Sequence, residues 1–165
     1  GGVLKLPSLN AIIRYDLSTG SFFSRQTDRL LSVDYDGFIS FYIPEEKRRM
    51  KMKASRLAWQ LGNGKLLRKN QKIFHRNFDE QDLRLSNLVA VSQPVYNNLK
   101  EAARNFNQEL RLCPVVGDVF DVVIYYYENG VRKKERFCDT VEAKKRLLVL
   151  QLKYAKILTK YCLTD

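Results

Sequence analysis

Ile73-Phe74-His75-Arg76-Asn77, followed by Asp82-Leu83-Arg84-Leu85-Ser86-Asn87-Leu88-Val89-Ala90-Val91-Ser92, is the stretch on which the reading of this chain turns. Short apolar patches alternate with polar turns across it. It holds His75, the one histidine among 165 residues. A solitary histidine is usually a surface or hydrogen-bonded side chain, and an asparagine such as Asn87 is often a turn residue. What raises both above that ordinary expectation is the sequence on either side.

Upstream, positions 45–76 carry eleven basic residues, Lys47, Arg48, Arg49, Lys51, Lys53, Arg56, Lys65, Arg68, Lys69, Lys72 and Arg76, against Glu45 and Glu46 alone. Within this segment Ala54–Leu61 reads as a short helix, with Leu57 and Leu61 on one face beside Ala54 and Ala58, stopped by Gly62-Asn63-Gly64. Trp59 is expected in the core rather than as a base-stacking platform. Further upstream, Ile12-Ile13-Arg14-Tyr15, Ser21–Arg25 and Phe38–Ile43 are rich in aromatic and β-branched residues. They are separated by turns at 16–20 and 34–37, which predicts a meander ended by Pro44.

Downstream, a helix is expected from Tyr96 to about Leu110, with Leu99, Ala102, Ala103 and Phe106 on one face and Cys113-Pro114 breaking it. Val119–Tyr127, the turn Glu128-Asn129-Gly130 and Val131–Cys138 form a hairpin, because Asn-Gly accepts the positive φ angles of tight turns. Asp139 then caps a helix to about Tyr161, with Glu142 placed as in a capping box. Its apolar face runs through Leu147, Leu150, Tyr154, Ile157 and Tyr161. Leu148, Leu152, Ala155 and Leu158 widen that face, and Lys145, Lys153, Lys156 and Lys160 lie opposite. The preferred reading is a core helix with a solvated lysine face, ahead of a dimer seam. The sum is an α+β fold: an N-terminal β-meander, a central ββα core, and a C-terminal hairpin with a long α-helix. Two regions are expected, 1–98 and 99–165.

Lys+Arg number 29 and Asp+Glu 18, a formal net charge of +11. An excess of that size attracts polyanions, nucleic acid first, then an acidic protein partner, then an anionic membrane surface. No apolar run is long enough to cross a bilayer. Gly1-Gly2 reads as a cleavage scar, and the first residues lack a signal-peptide layout. Cys113, Cys138 and Cys162 are odd in number with no C-x-x-C pair, so reduced thiols in a cytoplasmic setting are expected rather than a zinc knuckle.

The order Ala54-Ser55-Arg56-Leu57-Ala58-Trp59, then Ile73–Asn77, then Asp82–Ser92 resembles the HNH endonucleases of phages and mobile introns, over about residues 12–98. Their pattern runs A-H-R-L-x-W, V/I-D-H-x-N and D-N-R-x-x-N-L-x-x-x-T/S. The resemblance implies a ββα-metal site. There His75 stands at the general-base position, working or relic, and Asn87 at the late metal-ligand position. A middle asparagine would fix the loop that presents the histidine, and a divalent ion would steady the scissile phosphate. Phe74 stands where the family's aspartate ligand is expected, Leu83 replaces the middle asparagine and Ser55 the upstream histidine. Phenylalanine cannot hold Mg²⁺, which takes oxygen ligands; Asp79, Glu80 or Asp82 would substitute only with a rearrangement of the loop.

Residues 119–161 also resemble the ββα arrangement of AP2-type and integrase arm-type DNA-binding modules, whose sheet enters the major groove. That implies contacts from Tyr125, Tyr127, Arg132, Lys134 and Arg136. The leading expectation is a DNA-binding protein, phage-encoded and acting in the host cytoplasm, on an HNH-like scaffold with a degenerate metal site and no cofactor. Its contacts would be the eleven basic residues of 45–76 with Arg84, Arg132, Lys134 and Arg136. A Mg²⁺-dependent nicking endonuclease is the first alternative, and a binder of a host protein such as the transcription machinery the second. The expected partner is double-stranded DNA, without a membrane; the oligomeric state is left open.

Overall fold

Apolar residues in the first half of the chain come in short runs between turns, so they fold as hairpins rather than long strands. The computed structural model describes residues 5–107, 110–115 and 117–162; Gly1-Gly2 lies outside them. The chain divides into two compact units, Gly1–Gln93 and Pro94–Asp165. The sequence reading drew its boundary at 98.

The first unit opens with α1 (Leu6–Ile12), which the sequence did not announce, with Pro7 in its first turn. β1 (Ile13–Asp16), β2 (Ser21–Ser24) and β3 (Leu30–Leu31) form an antiparallel sheet in that order. β4 (Phe38–Ile43) pairs with β5 (Arg48–Lys53) as a two-stranded ribbon. β5 runs straight into α2 (Ala54–Asn63), which ends at Gly64. β6 (Gln71–His75) pairs antiparallel with β7 (Leu88–Ser92), and a 3₁₀ turn, Leu85–Asn87, leads into β7. One apolar cluster joins these pieces: Ile13 and Phe22, then Ile39, Phe41 and Ile43 of β4, Ala54, Leu57 and Ala58 of α2, and Ile73, Leu83 and Leu88 around the last hairpin.

The second unit holds α3 (Gln93–Asn107), β8 (Cys113–Val115), β9 (Asp118–Glu128), β10 (Val131–Phe137) and α4 (Thr140–Thr159). The sheet order is β10-β9-β8, antiparallel throughout. The architecture is therefore α+β, with the expected C-terminal hairpin followed by a long helix. Four details differ from expectation. α3 starts at Gln93, because a proline in a first turn lacks only a donor that would be unpaired there. Its expected end crosses 108–109, outside the described residues. Leu99, Ala102 and Ala103 are buried as expected, but Phe106 is 56% exposed. Cys113-Pro114 ends no helix; it belongs to a third strand, β8. On α4 the buried residues are Ala143, Leu150, Tyr154 and Leu158, whereas Leu148 and Leu152 lie in the open. The apolar face is narrower than the composition suggested. Asp139 caps α4 through its carboxylate, which accepts from Val141 N at 2.8 Å.

Candidate nucleic-acid interface and histidine hairpin

His75 ends β6, opposite Leu88 of β7. The intervening loop is held by side chains rather than by a sheet. Asn87 is wholly buried; its Oδ1 accepts from Asn77 N at 2.9 Å and its Nδ2 donates to Asp82 O at 2.9 Å. Asp82 accepts from Asn77 Nδ2 at 2.8 Å and from Arg84 Nε at 2.8 Å. These donors hold the Asp82 carboxyl down at about 2, with Arg84 the leading cause. Arg76 N donates to Asn87 O at 2.8 Å and closes the base of the loop.

The first hairpin of the unit braces this loop. Tyr15 Oη donates to Leu83 O, and Leu85 N donates to Leu17 O at 3.1 Å. Burial, then the nearby charges of Asp16 and Asp82, push the Tyr15 hydroxyl up to about 12, so it stays protonated and donating. Gly20, at φ +80°, lets the backbone of Leu83 pass so close that a Cβ would stand 2.7 Å from it. On the other side a Cβ at Gly62 of α2 would meet the Leu85 side chain at 2.7 Å, so a larger residue there would require Leu85 to shift.

His75 Nδ1 lies 3.3 Å from Asp82 O. A carbonyl only accepts, so Nδ1 carries the proton and Nε2 keeps the basic lone pair. Burial lowers the His75 pKa below its ordinary 6.5, ahead of the raising effects of Asp82, Glu80 and Asp79. The imidazole is a neutral base end at neutral pH.

The groups beside it do not fit a divalent ion. Phe74 is 3% exposed and packs edge-on against Phe78, ring centroids 5.8 Å apart. Asn87 has both ends of its amide engaged within the loop. Of the local carboxylates, Asp82 is clamped by Arg84 and Asp79 accepts from Gln81 N. Among the described residues no three His, Cys, Asp or Glu side chains gather where they could hold a metal. Leu83 sits in the unit's core and contributes its carbonyl to Tyr15 instead of a polar side chain.

The basic residues of 45–76, together with Arg84, fall into three groups. On the ribbon, Ile39, Phe41 and Ile43 face inward opposite Met52, Met50 and Arg48, which turns Arg49, Lys51 and Lys53 outward together, opposite Tyr42, Ser40 and Phe38. Alternate residues of a strand share one face, so these three cations form a row. Lys51 also reaches Asp34 at 3.5 Å and lies 5.0 Å from the Phe38 ring centroid. Lys47 sits in the ribbon's turn with φ +50°, and Arg48 pairs with Glu46. Around α2 and β6, Arg56 Nη1 donates to Gln71 O at 2.9 Å, Arg68, Lys69 and Lys72 are exposed, and Lys65 stands 5.6 Å from the Trp59 ring centroid. In the histidine loop, Arg76 Nη1 donates to Ser86 O at 3.3 Å and Arg84 is committed to Asp82.

In the second unit, Arg132, Lys134 and Arg136 share one face of β10, opposite Tyr127, Tyr125 and Val123. Arg132 lies over Tyr125 at 4.3 Å, and Arg136 is bound to Asp121 at 2.7 Å. Tyr127 is half-buried beneath the Arg104 guanidinium, 3.6 Å from its ring centroid. Sequence reading assigned no part to Tyr15 or Asn77, and gave Asp82 one only as a substitute metal ligand. Asn77 and Asp82 flank the loop closely enough to be suspected, whereas Tyr15 lies 68 residues from Leu83 and no local pattern links them.

No protein-family model matches this sequence, and no curated protein sequence matches it. A solved structure reported as "DNA binding and cleavage by the HNH homing endonuclease I-HmuI" is similar at 15% identity, with a TM-score of 0.41, over 82% of this chain and 76% of that one. Among the described residues no helix is long and apolar enough to cross a membrane.

Proposed function

We propose that the chain is a DNA-binding protein on an HNH-like scaffold whose metal site has been lost. One conjunction in the first unit carries the reading: an outward row of cations on β5, and a histidine hairpin whose ligand positions are filled by an apolar ring and an amide already engaged. Asn87, read from the sequence as a metal ligand, acts here as the residue that fixes the loop, since both ends of its amide bond loop backbone. Arg49, Lys51 and Lys53 contact phosphates, and a two-stranded ribbon fits the width of the major groove. Arg132 and Lys134 on β10 supply a second set of contacts in an AP2-like manner. The chain is phage-encoded and works in the host cytoplasm, with duplex DNA as partner.

A salt titration of duplex binding, read by fluorescence anisotropy, tests this. Each neutralised phosphate adds about −0.9 to the log–log slope. A steep fall in affinity with salt is expected, and a flat response removes nucleic acid as the partner. One observation favours a second reading, Mg²⁺-dependent nicking: the Nδ1–Asp82 contact leaves Nε2 of His75 as a base. Nicking that disappears in His75→Ala would establish it.

A further inference from the structure

Trp59 of α2 is half-buried and forms one wall of a cavity of about 480 Å³. Leu66, Leu88, Val89 and Ala90 supply the apolar lining, and Lys65, Arg68 and Gln71 the polar part. All of these residues belong to the first unit. The Lys65 ammonium lies 5.6 Å from the Trp59 ring centroid, so one cation already stands at the aromatic wall. Gln71 Oε1 accepts from Arg68 N at 3.0 Å, which fixes the side-chain amide and leaves Nε2 as its donor end. From Lys47 to Phe78 the chain contains no acidic residue, so the segment that builds most of the cavity repels no anion.

An aromatic wall, an apolar floor, a fixed amide donor and two cations together match one ligand chemistry, a flat ring joined to a phosphate. We propose that this cavity takes a single unpaired nucleotide of a nucleic-acid strand. Its base stacks on Trp59, and its phosphate is held by Lys65 and Arg68. The proposal rests on the nucleic-acid reading above and adds to it an unpaired nucleotide, since a paired base inside a duplex cannot enter. Stacking on an aromatic side chain tolerates any base, because every base has a π face. The site therefore selects for an unpaired state rather than for a sequence.

Trp59 is the only tryptophan, so its emission reports on this cavity alone. Three probes are titrated against the full chain: a short oligothymidylate, an abasic deoxyribose-phosphate oligomer of equal length and charge, and a duplex followed separately by anisotropy. The oligothymidylate is expected to quench Trp59 and the abasic oligomer to leave it largely unchanged. Lys65→Gln with Arg68→Gln, both on the surface, should weaken oligothymidylate binding while preserving the unfolding transition. With binding of a labelled oligothymidylate read by anisotropy, Trp59→Leu should weaken it on the order of 10- to 100-fold, and Trp59→Phe, which keeps most of the packing, by less. Equal quenching by the abasic oligomer, or binding of oligothymidylate with Trp59 emission unchanged, overturns the proposal. If the duplex still binds with a steep salt dependence in that case, only the cavity assignment falls. If neither probe binds, the nucleic-acid reading falls with it.

Discussion

Asn87 shows how one side chain can fix a loop. Removing its amide would strand Asn77 N–H at the loop's entry and leave Asp82 C=O, in mid-loop, with only its longer contact to His75 Nδ1. An unpaired buried polar group costs about 1–3 kcal/mol, so Asn87→Leu is expected to lower stability by about 1–3 kcal/mol in urea unfolding; a loss well below 1 kcal/mol would contradict the role. Asp82 adds a pH signature. Its folded pKa, about 2, lies below its ordinary 3.8, so folding favours the ionised form. That stabilisation is fully present above the unfolded value and drains away as pH falls from near 4 through 2. Asp82→Asn should flatten the acid limb of the thermal stability profile, and an unchanged limb would show that the Arg84 and Asn77 bonds carry no net stability. The sequence singled out His75 and Phe74, because chemistry is legible in residue type. The inward turn of Asn87 and the burial of Leu83 were not legible there, because they depend on β1–β2 and α2 packing against the loop from distant positions.

Among the elements, the β4–β5 ribbon separates cations that are available from cations already engaged. Arg49 and Lys53 face outward, and Arg48 is paired with Glu46. Arg49→Gln with Lys53→Gln should therefore reduce the salt slope of duplex binding by about 0.9 per lost contact, while Arg48→Gln changes it far less. Equal effects from the two changes would mean that the ribbon's outer face is not the contact. Elements with strong local signals were legible in advance. The Asn129-Gly130 hairpin and the Asp139-capped α4 follow from turn and cap chemistry, and the helix after Lys53 from its Ala and Leu spacing. β5 was read only as a charge run, since Arg48, Arg49, Lys51 and Lys53 mask the alternation of Met50 and Met52 that puts it in a sheet. α1 and β8 are seven and three residues long, too short for periodicity to declare them.

For the whole molecule, the surplus of +11 explains attraction to a polyanion but cannot by itself distinguish binding from cleavage. On the proposed function the distinction lies in the first unit, where Phe74 and an already engaged Asn87 stand beside His75 at the expected ligand positions. Such a centre lacks the charge stabilisation that a metal supplies to the leaving oxygen. His75→Ala is accordingly expected to leave duplex affinity within about twofold, since contacts that position the protein on phosphates lie elsewhere. A large drop would place His75 in the binding surface itself. The most direct test of the account is a single gel. Supercoiled plasmid is incubated with excess protein at low salt with Mg²⁺ or Mn²⁺, and each sample is run before and after the protein is stripped off. The account expects retarded plasmid before stripping and intact supercoils after it. Open circles that vanish with His75→Ala, or plasmid that is never retarded, would contradict it.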